Sequence, residues 1–66
     1  MILRKLFWKG KVNPKYYACN DMNIYTTKLD PLPYTENENG LKIVKIDGED
    51  IPLEIAVIGT LNRERT

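Results

Sequence analysis

Ile51-Pro52-Leu53-Glu54-Ile55-Ala56-Val57-Ile58-Gly59-Thr60-Leu61 decides the fold class of this 66-residue chain. Read with a period of two, Ile51, Leu53, Ile55, Val57, Gly59 and Leu61 alternate with Pro52, Glu54, Ala56, Ile58 and Thr60, as on a half-buried strand. Read with a helical period, Asp50 caps the segment, Pro52 fits the first turn, and Leu53, Val57 and Leu61 share a face. Ile55, Val57 and Ile58 are β-branched and lose side-chain freedom in a helix, and Gly59 loosens one, so the expectation is a strand. A helix at about 51–62 is the alternative, and it would make the chain α+β.

Outward from this segment, Asp47-Gly48 is a strong turn dipeptide that joins it to Leu41–Asp47 as a hairpin. A second hairpin is expected around Asn20-Asp21, between Tyr16–Cys19 and Met22–Thr27, which are rich in aromatic and β-branched residues. A two-residue turn there pairs Cys19 with Met22, Tyr17 with Ile24 and Lys15 with Thr26 on an inward face. It pairs Ala18 with Asn23, and sets Tyr16 beside Tyr25 on the outer face. Residues 10–14 read as a turn, because Pro14 disfavours helix at Asn13. Residues 1–9 fit either period and are expected to form a strand. The fold class is therefore mostly β: a small antiparallel sheet, or a partly open barrel of four or five strands, built from two hairpins. Residues 1–66 form a single domain, with a mobile loop at about 30–40, where Pro31 and Pro33 stiffen the chain, and a frayed tail at 62–66.

Composition excludes more than it identifies. A chain this short buries only about 60% of its unfolded surface, leaving no room for a two-domain cleft enzyme. The sequence has no His, which removes the commonest general base and metal ligand. Its single Cys, Cys19, excludes an internal disulfide framework and Cys-rich zinc sites. Cys19 lacks an activating base and reads as a structural thiol. Asp47, Glu49, Asp50 and Glu54 lack calcium-loop spacing and read as a solvated turn. Leu32-Pro33-Tyr34-Thr35 matches a cell-wall sorting pattern only in part, Glu36 standing where Gly is wanted. No catalytic residue, metal site or cofactor is expected. No apolar run reaches the roughly 18 residues of a membrane span, and no signal peptide is read at the start. The expected compartment is the cytoplasm.

The formal net charge of +1 hides an asymmetry. Residues 1–34 carry Arg4, Lys5, Lys9, Lys11, Lys15 and Lys28 against Asp21 and Asp30. Residues 35–66 carry Lys42, Lys45, Arg63 and Arg65 against Glu36, Glu38, Asp47, Glu49, Asp50, Glu54 and Glu64. Opposite halves of this kind either attract each other within one domain or offer a basic face to a partner. The constellation that carries function is Trp8, Lys9, Lys11, Lys15, Tyr16, Tyr25 and Lys28, with the rings as contacts and the lysines around them. A domain of this size also needs aromatic residues inside, and Phe7, Trp8 and Tyr17 are expected more in the core than on the surface.

That constellation supports a non-enzymatic binding protein. The leading reading is a small intracellular regulator or inhibitor of the phage or mobile-element type, using an exposed sheet face or edge against another protein. Tyr and Trp anchor such contacts. An edge strand could also pair with a second copy and give a homo-oligomer. The alternative is single-stranded DNA or RNA, with bases stacked on the rings and lysines on phosphates. A third reading lays residues 2–9 on an anionic membrane as a basic amphipathic helix.

Overall fold

The computed structural model describes residues 2–63. The chain is punctuated by two kinds of turn. At Lys9-Gly10 and at Asp47-Gly48 both residues have positive φ (51° and 80°; 52° and 80°), as two-residue hairpin turns of the twisted kind require. Each Gly takes the second position at no steric cost.

The other kind is a three-residue loop whose last residue is left-handed, at Met22 (φ 71°), Leu29 (φ 64°) and Gly40 (φ 80°). In each loop that residue's N–H donates to the carbonyl just before the loop: Met22 to Cys19, Leu29 to Thr26 and Gly40 to Asn37. The N–H groups of Cys19, Thr26 and Asn37 donate across the loops to Asn23, Asp30 and Leu41, each at 2.9 Å. Side chains reinforce the loops. Thr26 Oγ1 accepts from the N–H of Lys28 and Asp30, and Asn37 Oδ1 accepts from Asn39 and Leu41.

These turns separate β1 (Leu3–Trp8), β2 (Lys11–Cys19), β3 (Ile24–Thr26), β4 (Thr35–Glu36), β5 (Lys42–Ile46) and β6 (Glu49–Pro52), followed by α1 (Leu53–Arg63). Two open three-stranded antiparallel sheets result, ordered β1-β2-β3 and β4-β5-β6. The protein is thus mostly β with one C-terminal helix. The segment 30–40 is mostly irregular but is tied to both sheets. Tyr25 bridges Pro31, the Leu32 N–H donates to Ile24 O at 2.8 Å, and β4 runs beside β5. Pro31 and Pro33 offer no N–H, so this margin of the sheet has few donors for further pairing.

Residues 51–61 depart from the expected strand. The strand stops at Pro52 and the chain continues as α1. Leu53, Ala56, Val57 and Thr60 fall at i, i+3, i+4 and i+7 and are all buried. Burial of that stripe overrides the weak β preference of Ile55 and Ile58, which point outward and remain about half exposed. Asn62 and Arg63 belong to the helix, and residues 64–66 of the expected tail lie outside the described residues. Residues 3–8 are strand, which removes the membrane-helix reading. Residues 11–14 are strand as well. Pro14 lies where the β1–β2 register slips between Lys5 and Leu6, the kind of irregularity that tolerates proline inside a strand.

The core gathers Leu6, Ala18 and Ile24 from the first sheet, Val44, Ile46 and Ile51 from the second, and Leu53, Ala56 and Val57 from α1. Thr60 is the one buried polar residue among the described residues of α1. In a two-residue hairpin the flanking pair, Trp8 with Lys11, is hydrogen-bonded, so the next pair, Phe7 with Val12, is not. The backbone N–H and C=O of Phe7 therefore face away from β2. The Thr60 hydroxyl meets both: it accepts from Phe7 N–H at 3.0 Å and lies 3.2 Å from Phe7 O. Its single hydrogen is shared between Phe7 O and Ala56 O, the latter at 2.8 Å. Arg63 lies over the Phe7 ring at 4.2 Å one turn later.

Thr60→Val keeps the shape and removes the hydroxyl, leaving a part-buried N–H unpaired. Urea unfolding is expected to show a loss of about 1–3 kcal/mol, and Thr60→Ser a much smaller one. Gly59 is exposed on α1, and a methyl group added there would meet nothing within 4 Å. Gly59→Ala is expected to stabilise the protein by about 0.5–1 kcal/mol in the same assay.

Candidate binding face

The β2–β3 pairing sets which aromatic residues face solvent. The observed register is Tyr16 with Thr26, Tyr17 with Tyr25 and Ala18 with Ile24. It is one residue away from the register that a two-residue Asn20-Asp21 turn would impose, because Met22 joins the loop. A one-residue slip exchanges the faces. Ala18 and Ile24 are buried in the core, and Tyr16 packs against it. Tyr16 and Tyr25 are therefore not neighbours on the outer face. Tyr17 replaces Tyr16 there.

β1 extends the same face. Lys5 pairs with Tyr17, so Lys5, Tyr17 and Tyr25 form one row across three strands. Leu3 and Phe7 flank Lys5 on this side of β1, and Val12 stands opposite Phe7. Phe7, Tyr17 and Tyr25 are half-buried but do not pack against the core cluster. Phe7 and Tyr17 thus depart from their expected place in the interior. The signal that places Tyr17 is the loop length at 20–22, which Met22 conceals by occupying a conformation usual for Gly or Asn.

Tyr25 is fixed at the edge of the row. Its hydroxyl donates to Asp21 Oδ2 at 2.6 Å, while Asp21 Oδ1 accepts from Asn23 N–H at 3.0 Å. The Tyr25 hydrogen bond holds the Asp21 carboxyl below the usual carboxylate range, helped by Asn23. The same bond raises the Tyr25 phenol. Cys19 is buried near this turn, with its Sγ 3.6 Å from Asn20 Oδ1.

The other expected site residues lie elsewhere. Trp8 and Lys11 line a shallow cleft between the β1–β2 and β5–β6 hairpins, and Lys9 and Lys15 pair with the acidic residues that line it. Trp8 Nε1–H donates to Glu49 Oε2 at 3.2 Å, and Lys9 pairs with the same oxygen at 2.9 Å. These contacts, Lys9 first, lower the Glu49 carboxyl below its ordinary range. Lys15 pairs with Asp47 at 3.3 Å, and the Asn13 side-chain amide donates to Asp47 at 3.0 Å. Opposite charges from the two halves of the chain thus meet within the domain. Both ion pairs are exposed, and pairs of that kind contribute about 0–1 kcal/mol each. Lys28 sits in the loop before Leu29, apart from both groups. Among the described residues there is no cluster of His, Cys, Asp and Glu that could hold a metal, and no helix is long and apolar enough to cross a membrane.

No protein-family model, curated protein or solved structure matches this chain.

The Asp21–Tyr25 pair has a defined pH signature. A carboxyl lowered on folding adds stability above its unfolded pKa, and the gain fades as pH falls through the folded value. A phenol raised on folding adds stability below its unfolded pKa, and the gain fades as pH rises through the folded value. Carboxyl NMR titration is expected to find Asp21 below the usual range, and Tyr25→Phe is expected to move it up toward the ordinary value.

Proposed function

We propose that the chain is a non-enzymatic binding protein that engages another protein through the outer face of the β1–β2–β3 sheet. The observation that carries this reading is the row Lys5–Tyr17–Tyr25 across three strands, whose two tyrosines are half-buried and lie outside the core cluster, with Phe7 beside it under the Arg63 guanidinium of α1. Tyrosines on a rigid sheet present large contact areas at low conformational cost, and aromatic residues dominate binding energy at interfaces. The Tyr25 hydroxyl is already held by Asp21, so one anchor is positioned before a partner arrives. The role fits a small regulator or inhibitor of the phage or mobile-element type, a class to which chain length alone points. The unpaired Cys19 supports a reducing, cytoplasmic setting.

Single-stranded nucleic acid is the second reading, favoured by Lys5 beside two tyrosines. It is weakened by Lys9 and Lys15, whose charges are matched by Glu49 and Asp47 rather than left for a phosphate track.

A photo-crosslinking phenylalanine analogue at position 17 is expected to give a discrete protein adduct in lysate of the source organism. The same analogue at position 45, on the second sheet, is expected to give none. Equal labelling at both positions would overturn the assignment of the face. A mixed-sequence single-stranded oligonucleotide that shifts the Lys5, Tyr17 and Tyr25 amides, with shifts lost on added salt, would replace the protein reading with the nucleic-acid one.

A further inference from the structure

Among the described residues, β4 has the least protected strand edge, and the register assigns its hydrogen-bonding groups. The two-residue turn at Asp47-Gly48 makes Ile46 with Glu49 a hydrogen-bonded pair, so Ile43 opposite Pro52 is not one. The N–H and C=O of Ile43 therefore point to β4, where they meet Thr35. By alternation, the N–H and C=O of Tyr34 and Glu36 point away from β5. No group among the described residues meets them, and residues 33–41 are all exposed. Pro31 and Pro33 remove donors just before β4, but Tyr34 and Glu36 keep theirs.

The other edges are more restricted. On β3, Thr26 N–H is held by Asp30 O, and Ile24 O by Leu32 N–H. On β1, Thr60 takes both groups of Phe7, and α1 packs alongside. The groups β6 turns outward are those of Asp50 and Pro52, and Pro52 has no N–H.

We propose that β4 pairs antiparallel with β4 of a second copy, with Thr35 on the two-fold axis, joining the second sheets of two molecules into one sheet of six strands. Tyr34 then stands opposite Glu36 of the other copy, and the two residues exchange backbone hydrogen bonds on both sides of the axis. Charge selects this occupant and this register. Lys42 lies 5.1 Å over the Tyr34 ring, and Glu36 has no ion pair among the described residues. The pairing sets each Glu36 beside the Tyr34 of the other copy and so beside the Lys42 cation that covers it. Thr35 meets Thr35, a favourable cross-strand pair. A two-fold axis on Glu36 would instead oppose two carboxylates. The edge is thus self-complementary, as a closed two-fold contact requires.

So short a strand makes a weak dimer. Sedimentation of the full chain is expected to show one with a dissociation constant of about 0.1–1 mM. In a mixture of carbon-13-labelled and unlabelled chain, a filtered NOE is expected between the Thr35 Hα protons of the two copies. Glu36→Pro removes an N–H that points away from β5, so the monomer keeps its pairing, checked by its amide spectrum, while the dimer weakens by at least about tenfold. Glu36→Lys and Lys42→Glu are each expected to weaken the dimer, and the double swap to restore it. Tyr17→Lys, on the first sheet, is expected to leave it unchanged. A chain that stays monomeric to about 2 mM would overturn the proposal, at a concentration above the expected constant. So would a dimer that Glu36→Pro leaves intact. Loss of the dimer in Tyr17→Lys, with no Thr35 contact, would overturn it too and place self-association on the tyrosine face.

Discussion

The Thr60 hydroxyl holds the architecture together at its least favourable point. A three-stranded sheet leaves the backbone of β1 open on one side, and at Phe7 both polar groups face outward. A helix cannot ordinarily satisfy a strand edge, because its own N–H and C=O groups are used internally. A hydroxyl one side chain away from the helix can do so, since it donates and accepts from one atom. Thr60 reaches Phe7 while Leu53, Ala56 and Val57 fill the space between the sheets. The contact therefore serves two purposes: it fixes α1 against β1, and it occupies the open edge of β1.

The same requirement explains what can be read in the sequence. The dipeptide Asp47-Gly48 carries its conformation openly, and the hairpin around it follows; the turn read at 10–14 falls instead at Lys9-Gly10, because Pro14 is held within β2 at the register slip. Two left-handed positions filled by Met22 and Leu29 carry no such mark. Asn20-Asp21 thus resembles a complete turn, and the register that follows from it is wrong by one residue. That slip exchanges Tyr16 for Tyr17 on the outer face. The final segment is ambiguous for a different reason. Its β-branched residues favour a strand locally, but two open sheets share one uncovered apolar side. Only a helical stripe of Leu53, Ala56, Val57 and Thr60 covers it. The choice lies in tertiary packing, which a local period does not record.

The charge asymmetry along the chain is likewise a statement about assembly. The basic first half and the acidic second half meet at the hairpin tips through Lys9–Glu49 and Lys15–Asp47. What the pairing leaves over in the first half includes Lys5 beside the tyrosines, Lys11 next to Trp8, and Lys28 in the loop before Leu29.

Each hairpin joins neighbours in sequence, so the strands can find one another after closing only short loops. The Thr60–Phe7 contact is different, because its partners stand 53 residues apart. Closing a loop costs more entropy as it lengthens, by about 0.6 kcal/mol for each doubling. The hairpins close at low entropic cost, and the docking of the last segment onto the first is the costlier closure that ties both ends of the chain into one body.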